Sequence, residues 1–156
     1  MADRKIEIVD YKPEHGEYIA ANIRQIDRKE IYYFGTLQPL PAIRMTAANA
    51  VAAWTVLVDD VPAMMFGINR RSHLSQVGVP WLLATDEVEK HPMRFAYASK
   101  VYFDRMVRAF PKMENHVLAE NKVTIRWLKW LGFDMEEPAP FGAFQAHFRR
   151  FGKELD

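Results

Sequence analysis

The run Asn121-Lys122-Val123-Thr124-Ile125-Arg126-Trp127-Leu128-Lys129-Trp130-Leu131-Gly132-Phe133 constrains this chain more than any other. It reads as a short helix between two strands. Asn121 can start the helix by accepting a backbone N–H with its side-chain oxygen. Gly132 supplies the positive φ that stops it. Glu114 to Glu120 reads as the strand before, and Phe133 opens the strand after.

The 156 residues predict one domain, large enough to bury a core without staples. With 49% hydrophobic and 26% charged residues, the composition is that of a soluble globular chain. A net charge of +1 lacks the basic excess of a dedicated nucleic-acid binder. Arg70-Arg71 and Arg149-Arg150 are too small as clusters to change that. Cysteine is absent, which excludes disulfides and thiolate metal sites. The histidines, His15, His73, His91, His116 and His147, show no metal-ligand spacing, so no metal is expected. No Gly-x-Ser-x-Gly elbow accompanies Ser72 or Ser75, which argues against a hydrolase triad. The start, Met1 to Lys5, is charged and leads to no apolar h-region, so no signal peptide is read. The longest apolar run, Ala47 to Val58, is too short to span a bilayer, and no membrane association is expected.

Ile6 and Ile8 alternate with Lys5 and Glu7 and predict a first strand. Pro13 can open a helix, in which Tyr18, Ile19, Asn22, Ile23 and Ile26 recur at helical spacing. Asp27-Arg28-Lys29-Glu30 is a charged exit and Ile31 to Gly35 an aromatic stretch ending at a breaker. Leu37 to Pro41 reads as a loop, and the Ala-rich run 42–53 as a helix. Strands are expected at Thr55–Val58, Ala63–Asn69 and Val79–Thr85, with Asp59-Asp60 as the first turn and 70–78 as a loop. Pro92 to Phe110 is the longest helix, its apolar stripe carried by Phe95, Ala98, Tyr102 and Met106. Two more strands, 133–137 and 143–149, close the chain around Pro138, Pro140 and Gly142.

The resulting order is β-α-α-β-β-β-α-β-α-β-β. Together with the Asn121-to-Gly132-Phe133 spacing it resembles the GCN5-related N-acetyltransferase (GNAT) fold over nearly the whole chain. That resemblance implies an α+β domain: a mixed, mainly antiparallel sheet of about seven strands flanked by four helices. It also implies acetyl-CoA as cofactor and an amine as acceptor. The pantetheine arm would lie where the strands near 79–85 and 116–120 part. It would pair with the backbone at Leu83, Ala84 and Thr85, close to Asn121. Trp127 is expected either in the core or lining the acyl slot.

Two places depart from the family pattern. No glycine lies between Gly78 and Gly132, so the glycine-rich pyrophosphate loop is replaced by Asp86-Glu87-Val88-Glu89-Lys90-His91-Pro92-Met93-Arg94. Three carboxylates there would repel phosphate, and Pro92 removes an N–H donor. Lys90, His91 and Arg94 either compensate with charge-assisted bonds or form an ordinary polar helix entry. The general-acid tyrosine of many GNAT enzymes falls on Leu128, which cannot donate a proton. Glu30, in the substrate-facing region, is a candidate general base toward an amine, against the plainer reading of a solvated helix-end carboxylate.

The segments Trp81 to Val88 and Asn121 to Gly132 also resemble a phage branch of this fold, the small internal virion protein family of T7-like podophages. That resemblance implies a viral protein, in the host cytoplasm or associated with the virion, with phage virion or host proteins as partners. Two functions are therefore expected as alternatives. One is an acyl-CoA-dependent N-acyltransferase or a derivative with a degenerate pyrophosphate loop. The other is a non-catalytic phage assembly or host-interaction protein that uses the fold as a scaffold.

Overall fold

The computed structural model describes residues 4–155. Strand β1 (Ile6–Asp10) leads into helices α1 (Pro13–Ala21), α2 (Gln25–Gly35) and α3 (Pro39–Ala48). A meander follows: β2 (Ala50–Val58), β3 (Val61–Arg70) and β4 (Val77–Ala84). A 3-10 turn (Asp86–Glu89) precedes α4 (Pro92–Ala109), then β5 (Lys112–Leu118) and α5 (Lys122–Trp130). Short strands β6 (Asp134–Met135) and β7 (Ala139–Phe141) and the long β8 (Ala146–Glu154) complete the sheet. The strand order is β1-β2-β3-β4-β5-β8-β6, with β7 also paired to β8. All pairs are antiparallel except β4 with β5. The α+β architecture read from the sequence is thus present, with eight strands and five α-helices rather than about seven and four.

Alternation along β3 splits the core between the two faces of the sheet. Met64 and Phe66 point into the larger cluster, with Phe95, Phe103 and Met106 of α4 and Ile125 and Leu128 of α5. Met65 points the other way, against Ile19 of α1, Ile43 of α3 and Leu83 of β4.

Two local departures from expectation stand out: the chain breaks after Ala21 and makes 25–35 a helix of its own rather than a charged exit and an aromatic stretch, and 37–53 is divided differently. Pro39 sits at the start of α3 rather than in a loop, since a first-turn residue needs no N–H partner. Ala50 to Ala53 is strand, despite its helix propensity. The reason is close approach. Ala53 pairs with Gly67, where an added Cβ would lie 2.4 Å from the Ala52 carbonyl oxygen and 2.7 Å from Trp81. Small residues let the two strands and the indole pack together there, and pairing overrides propensity.

Candidate functional site: the gap between β4 and β5

The parallel strands β4 and β5 pair only at Val77–Lys112 and Gly78–Met113. Beyond that point they diverge, as the resemblance implies. The parting begins at Pro80, which has no N–H to offer a neighbour. Asn115 spans the fork: its Nδ2 donates to the Pro80 carbonyl at 2.8 Å, and its Oδ1 accepts the His116 N–H at 2.7 Å.

Alternate residues of a strand turn their backbone groups to opposite sides. The Thr85 N–H donates to the Ala63 carbonyl of the adjoining β3 end, so odd-numbered residues of β4 face β3. Pro80, Leu82 and Ala84 therefore face the gap. Ala84 is fully engaged there. Its N–H donates to Asp27 Oδ2 at 3.0 Å and its carbonyl accepts from the Arg24 N–H at 2.9 Å. Ile23 forms an isolated antiparallel bridge with Thr85, so the α1–α2 linker itself lies along the end of β4. Leu82 differs: neither its N–H nor its carbonyl has a partner among the described residues.

Across the gap, the Leu118 N–H donates to Glu30 Oε1 at 2.5 Å. Burial, and then the charge of Asp27, push the Glu30 carboxyl up to about 8. It is consequently a neutral acid at neutral pH, able to give a proton rather than take one. The His116 imidazole stacks on Phe141 at 3.7 Å, and its pKa is lowered by burial and then by the Arg150 charge. It is a neutral group that can accept a proton.

Leu82, Asn115, Glu30 and His116 share a cleft of about 280 Å³. Its walls are mostly apolar: Ile31, Phe34 and Leu37 from the α2 side, Met45 from α3, Trp81 and Leu82 from β4. Leu128 lines its inner end, where the sequence pattern would place a tyrosine. Of the residues proposed from sequence for catalysis or cofactor contact, Glu30 and Leu83 line the cleft. Ala84 and Thr85 lie next to it with their backbone groups already bonded. Asn121 caps α5, accepting the Thr124 N–H at 3.4 Å, and its side chain lies beside Glu30. Trp127 is buried in the core with α4, in line with its packing alternative.

Lys90, His91 and Arg94 lie apart from the cleft. Lys90 pairs with Glu87 at 2.9 Å, and Arg94 donates to the Arg4 carbonyl at 3.0 Å. His91 precedes α4 without a capping bond. Asn115, His116, Arg24 and Asp27 are the members that sequence reading did not find. Pro80 inside a strand pattern, and Arg24 and Asp27 three apart at a helix start, were the available signals.

At the mouth of the gap, Arg24 and Asp27 form a bidentate pair, Nε to Oδ2 and Nη2 to Oδ1, both 2.9 Å. Both are essentially inaccessible, at 1% and 0% exposed. Arg24 Nη2 also reaches Thr124 Oγ1 of α5 at 3.1 Å. Among the described residues Arg24 Nη1 has no hydrogen-bond partner; the Glu89 carboxylate stands 4.0 Å away. Burial raises the Asp27 pKa, against the opposing pull of Arg24.

No family model and no curated protein matches this sequence. Solved structures do match in shape. A ribosomal-protein-alanine N-acetyltransferase from Brucella melitensis superposes with a TM-score of 0.72 at 8% identity, over 96% of this chain and 99% of that one. A GNAT-family acetyltransferase from Streptococcus pneumoniae gives 0.62 at 12% identity, over 97% and 100%. RimL, a ribosomal L7/L12 alpha-N-protein acetyltransferase solved in complex with coenzyme A, gives 0.66 at 7% identity, over 97% and 94%. The chain has the GNAT fold.

The residues present fit acetyl-CoA in one part and fail in another. Leu82 keeps one unpaired N–H and carbonyl, which suits an extended arm. The Ala84 edge beyond it is occupied. The turn at 86–89 offers no anion cradle, because the N–H groups of Glu87, Val88 and Lys90 bond within the turn and three carboxylates crowd it. As folded here, the gap does not accept the whole cofactor. Among the described residues no group of acidic, histidine or cysteine side chains could hold a metal, and no helix is long and apolar enough to cross a membrane.

Proposed function

We propose that this protein is a derivative of an acyl-CoA-dependent N-acyltransferase that retains the acceptor half of the site and has a degenerate cofactor half. The observation that carries this is Leu82, whose free N–H and carbonyl face an apolar cleft at the parting of β4 and β5. Such an N–H can polarise a carbonyl in a water-poor site. His116, neutral and facing the same cleft, suits the role of proton acceptor from an amine. Glu30 suits the opposite role to the one its sequence position implies, as a neutral acid in a site where Leu128 supplies none.

A second reading draws on the acidic turn and the occupied Ala84 edge: a non-catalytic protein that keeps the fold as a scaffold. Its virion or host setting rests on the resemblance of Trp81 to Val88 and Asn121 to Gly132 to the podophage family. Calorimetric titration with acetyl-CoA, and amide NMR with small apolar amines, separate the two. The derivative should bind acetyl-CoA no tighter than about 1 mM, and phenethylamine should shift the Leu82 and His116 amides. Micromolar acetyl-CoA binding with rapid acetylation would show a complete enzyme. No perturbation at Leu82 or His116 by either ligand would leave the scaffold reading.

A further inference from the structure

The cofactor edge is closed by the chain's own residues, and the closure has a definite composition. Ala84 presents one N–H and one carbonyl to the gap, the pair of groups that an extended ligand would use. Asp27 takes the first and the Arg24 backbone takes the second. The linker Asn22–Arg24 lies along β4 as a stub of extra strand, bridged at Ile23 and Thr85. The Arg24 side chain then crosses the mouth to Thr124 on α5, so the two walls of the gap are tied.

The tie is incomplete in one atom. Among the described residues Arg24 Nη1 is buried with no hydrogen-bond partner, and the Glu89 carboxylate stands at ion-pair distance, 4.0 Å. A buried guanidinium normally satisfies its donors. An anionic group entering between α5 and the acidic turn would meet an unused donor there.

We infer that Arg24 and Asp27 form an internal latch that occupies the pantetheine edge of the gap, and that acyl-CoA binds only when the latch swings out. This rests on the reading of the gap as a former or latent acyl-CoA slot. In the latched state Asp27 and the Ile23–Arg24 backbone stand in for the arm of the ligand. In the released state Ala84 regains its open N–H and carbonyl beside those of Leu82, giving a continuous edge of two free residues. Arg24, freed from Asp27, is then a cation at the mouth with Glu89 as its remaining carboxylate neighbour.

The latch lowers apparent affinity by the fraction of time the gap is open, so its removal should raise affinity by the inverse of that fraction. The test uses the double substitution Arg24→Met with Asp27→Leu, which removes both charges together. A second variant, Asp27→Asn, keeps the shape. Amide hydrogen exchange at Ala84 reads the latch directly, without any ligand. Calorimetry with acetyl-CoA, and with pantetheine alone, reads the edge.

Ala84 exchange should quicken in the double variant. The affinity for both ligands should rise by about tenfold or more. Equal affinity in the native protein and in a cooperatively folded double variant would overturn the latch. So would an Ala84 amide that exchanges at the same rate in both. Pantetheine separates the latch from the acidic turn, since it carries no phosphate for the turn to repel. A gain for pantetheine without one for acetyl-CoA therefore still supports the latch and puts the remaining barrier at residues 86–89. If the double variant gains nothing while phenethylamine still shifts Leu82, the latch is wrong and the acceptor-cleft reading stands.

Discussion

The inner and outer parts of the β4–β5 gap are built from the same strand edge, two residues apart, and end in opposite states. At Leu82 the edge is bare and faces apolar walls. At Ala84 it is saturated by Asp27 and Arg24. Backbone conformation does not separate the two, since both residues belong to the regular part of β4. The difference lies in what stands opposite. At the outer part Asp27 of α2 and the Arg24 backbone bond the edge, while at the inner part Ile31 and Phe34 of α2 line the cleft and offer the edge no polar group. A split sheet therefore needs no internal ligand to satisfy its edge; acids and amides from neighbouring elements can do it residue by residue.

The strongest way to break this contrast is to remove one half of the mouth. Arg24→Ala should strand the buried Asp27 carboxylate and cost about 3–5 kcal/mol. The paired replacement Arg24→Met/Asp27→Leu should cost far less, since buried ion pairs are often neutral against apolar substitutes. Urea unfolding of the two variants checks this. Equal losses would mean that the pair stabilises the fold directly rather than merely filling the gap.

A smaller effect sharpens the inner side. Glu30 has a folded pKa of about 8, above its unfolded value of 4.5. Its contribution is therefore fully present below pH 4.5 and is lost as pH rises through about 8. Glu30→Gln should flatten that loss, by about 1–2 kcal/mol between neutral and alkaline pH once partial exposure is allowed for. Thermal melts across that range give the answer. A wild-type curve with no decline above neutrality would show the carboxyl to be better solvated than its surroundings indicate.

The smallest expected change is outside the gap. Lys90→Ala and Arg94→Ala should each shift stability by no more than about 0.5 kcal/mol, because both side chains make exposed contacts. They should also leave acetyl-CoA affinity unaltered. A loss of affinity on either substitution, followed by calorimetry at low salt, would return the phosphate site to the turn after β4.

Much of this was legible in residue patterns. Asn121, Gly132 and Phe133 locate α5, and apolar alternation finds β1 and the meander. The run Leu37 to Ala53 was misread because prolines suggest a loop and alanines a helix. Pairing with Gly67 and a first-turn Pro39 decide otherwise, and both depend on distant partners. In the candidate site, Glu30 was singled out by position and lines the cleft, but its protonation state follows from burial beside Asp27, which no spacing reveals. Asp27 itself sits in a charged run, Asp27-Arg28-Lys29-Glu30, that reads as solvated. Only the tertiary fold turns the first of those residues inward and leaves Arg28 outside.

Asn115 has a consequence for the size of the cleft. Parallel strands that start out paired tend to go on closing, one residue after another, like the teeth of a zipper. Here the slider meets a stop: Pro80 lacks the tooth on one tape, and Asn115 fills the notch on the other with its own amide. The cleft depth is thereby quantised in residues of strand. Moving the stop by one position would not widen or narrow the cavity gradually; it would change its floor by a whole residue step, about 3.3 Å.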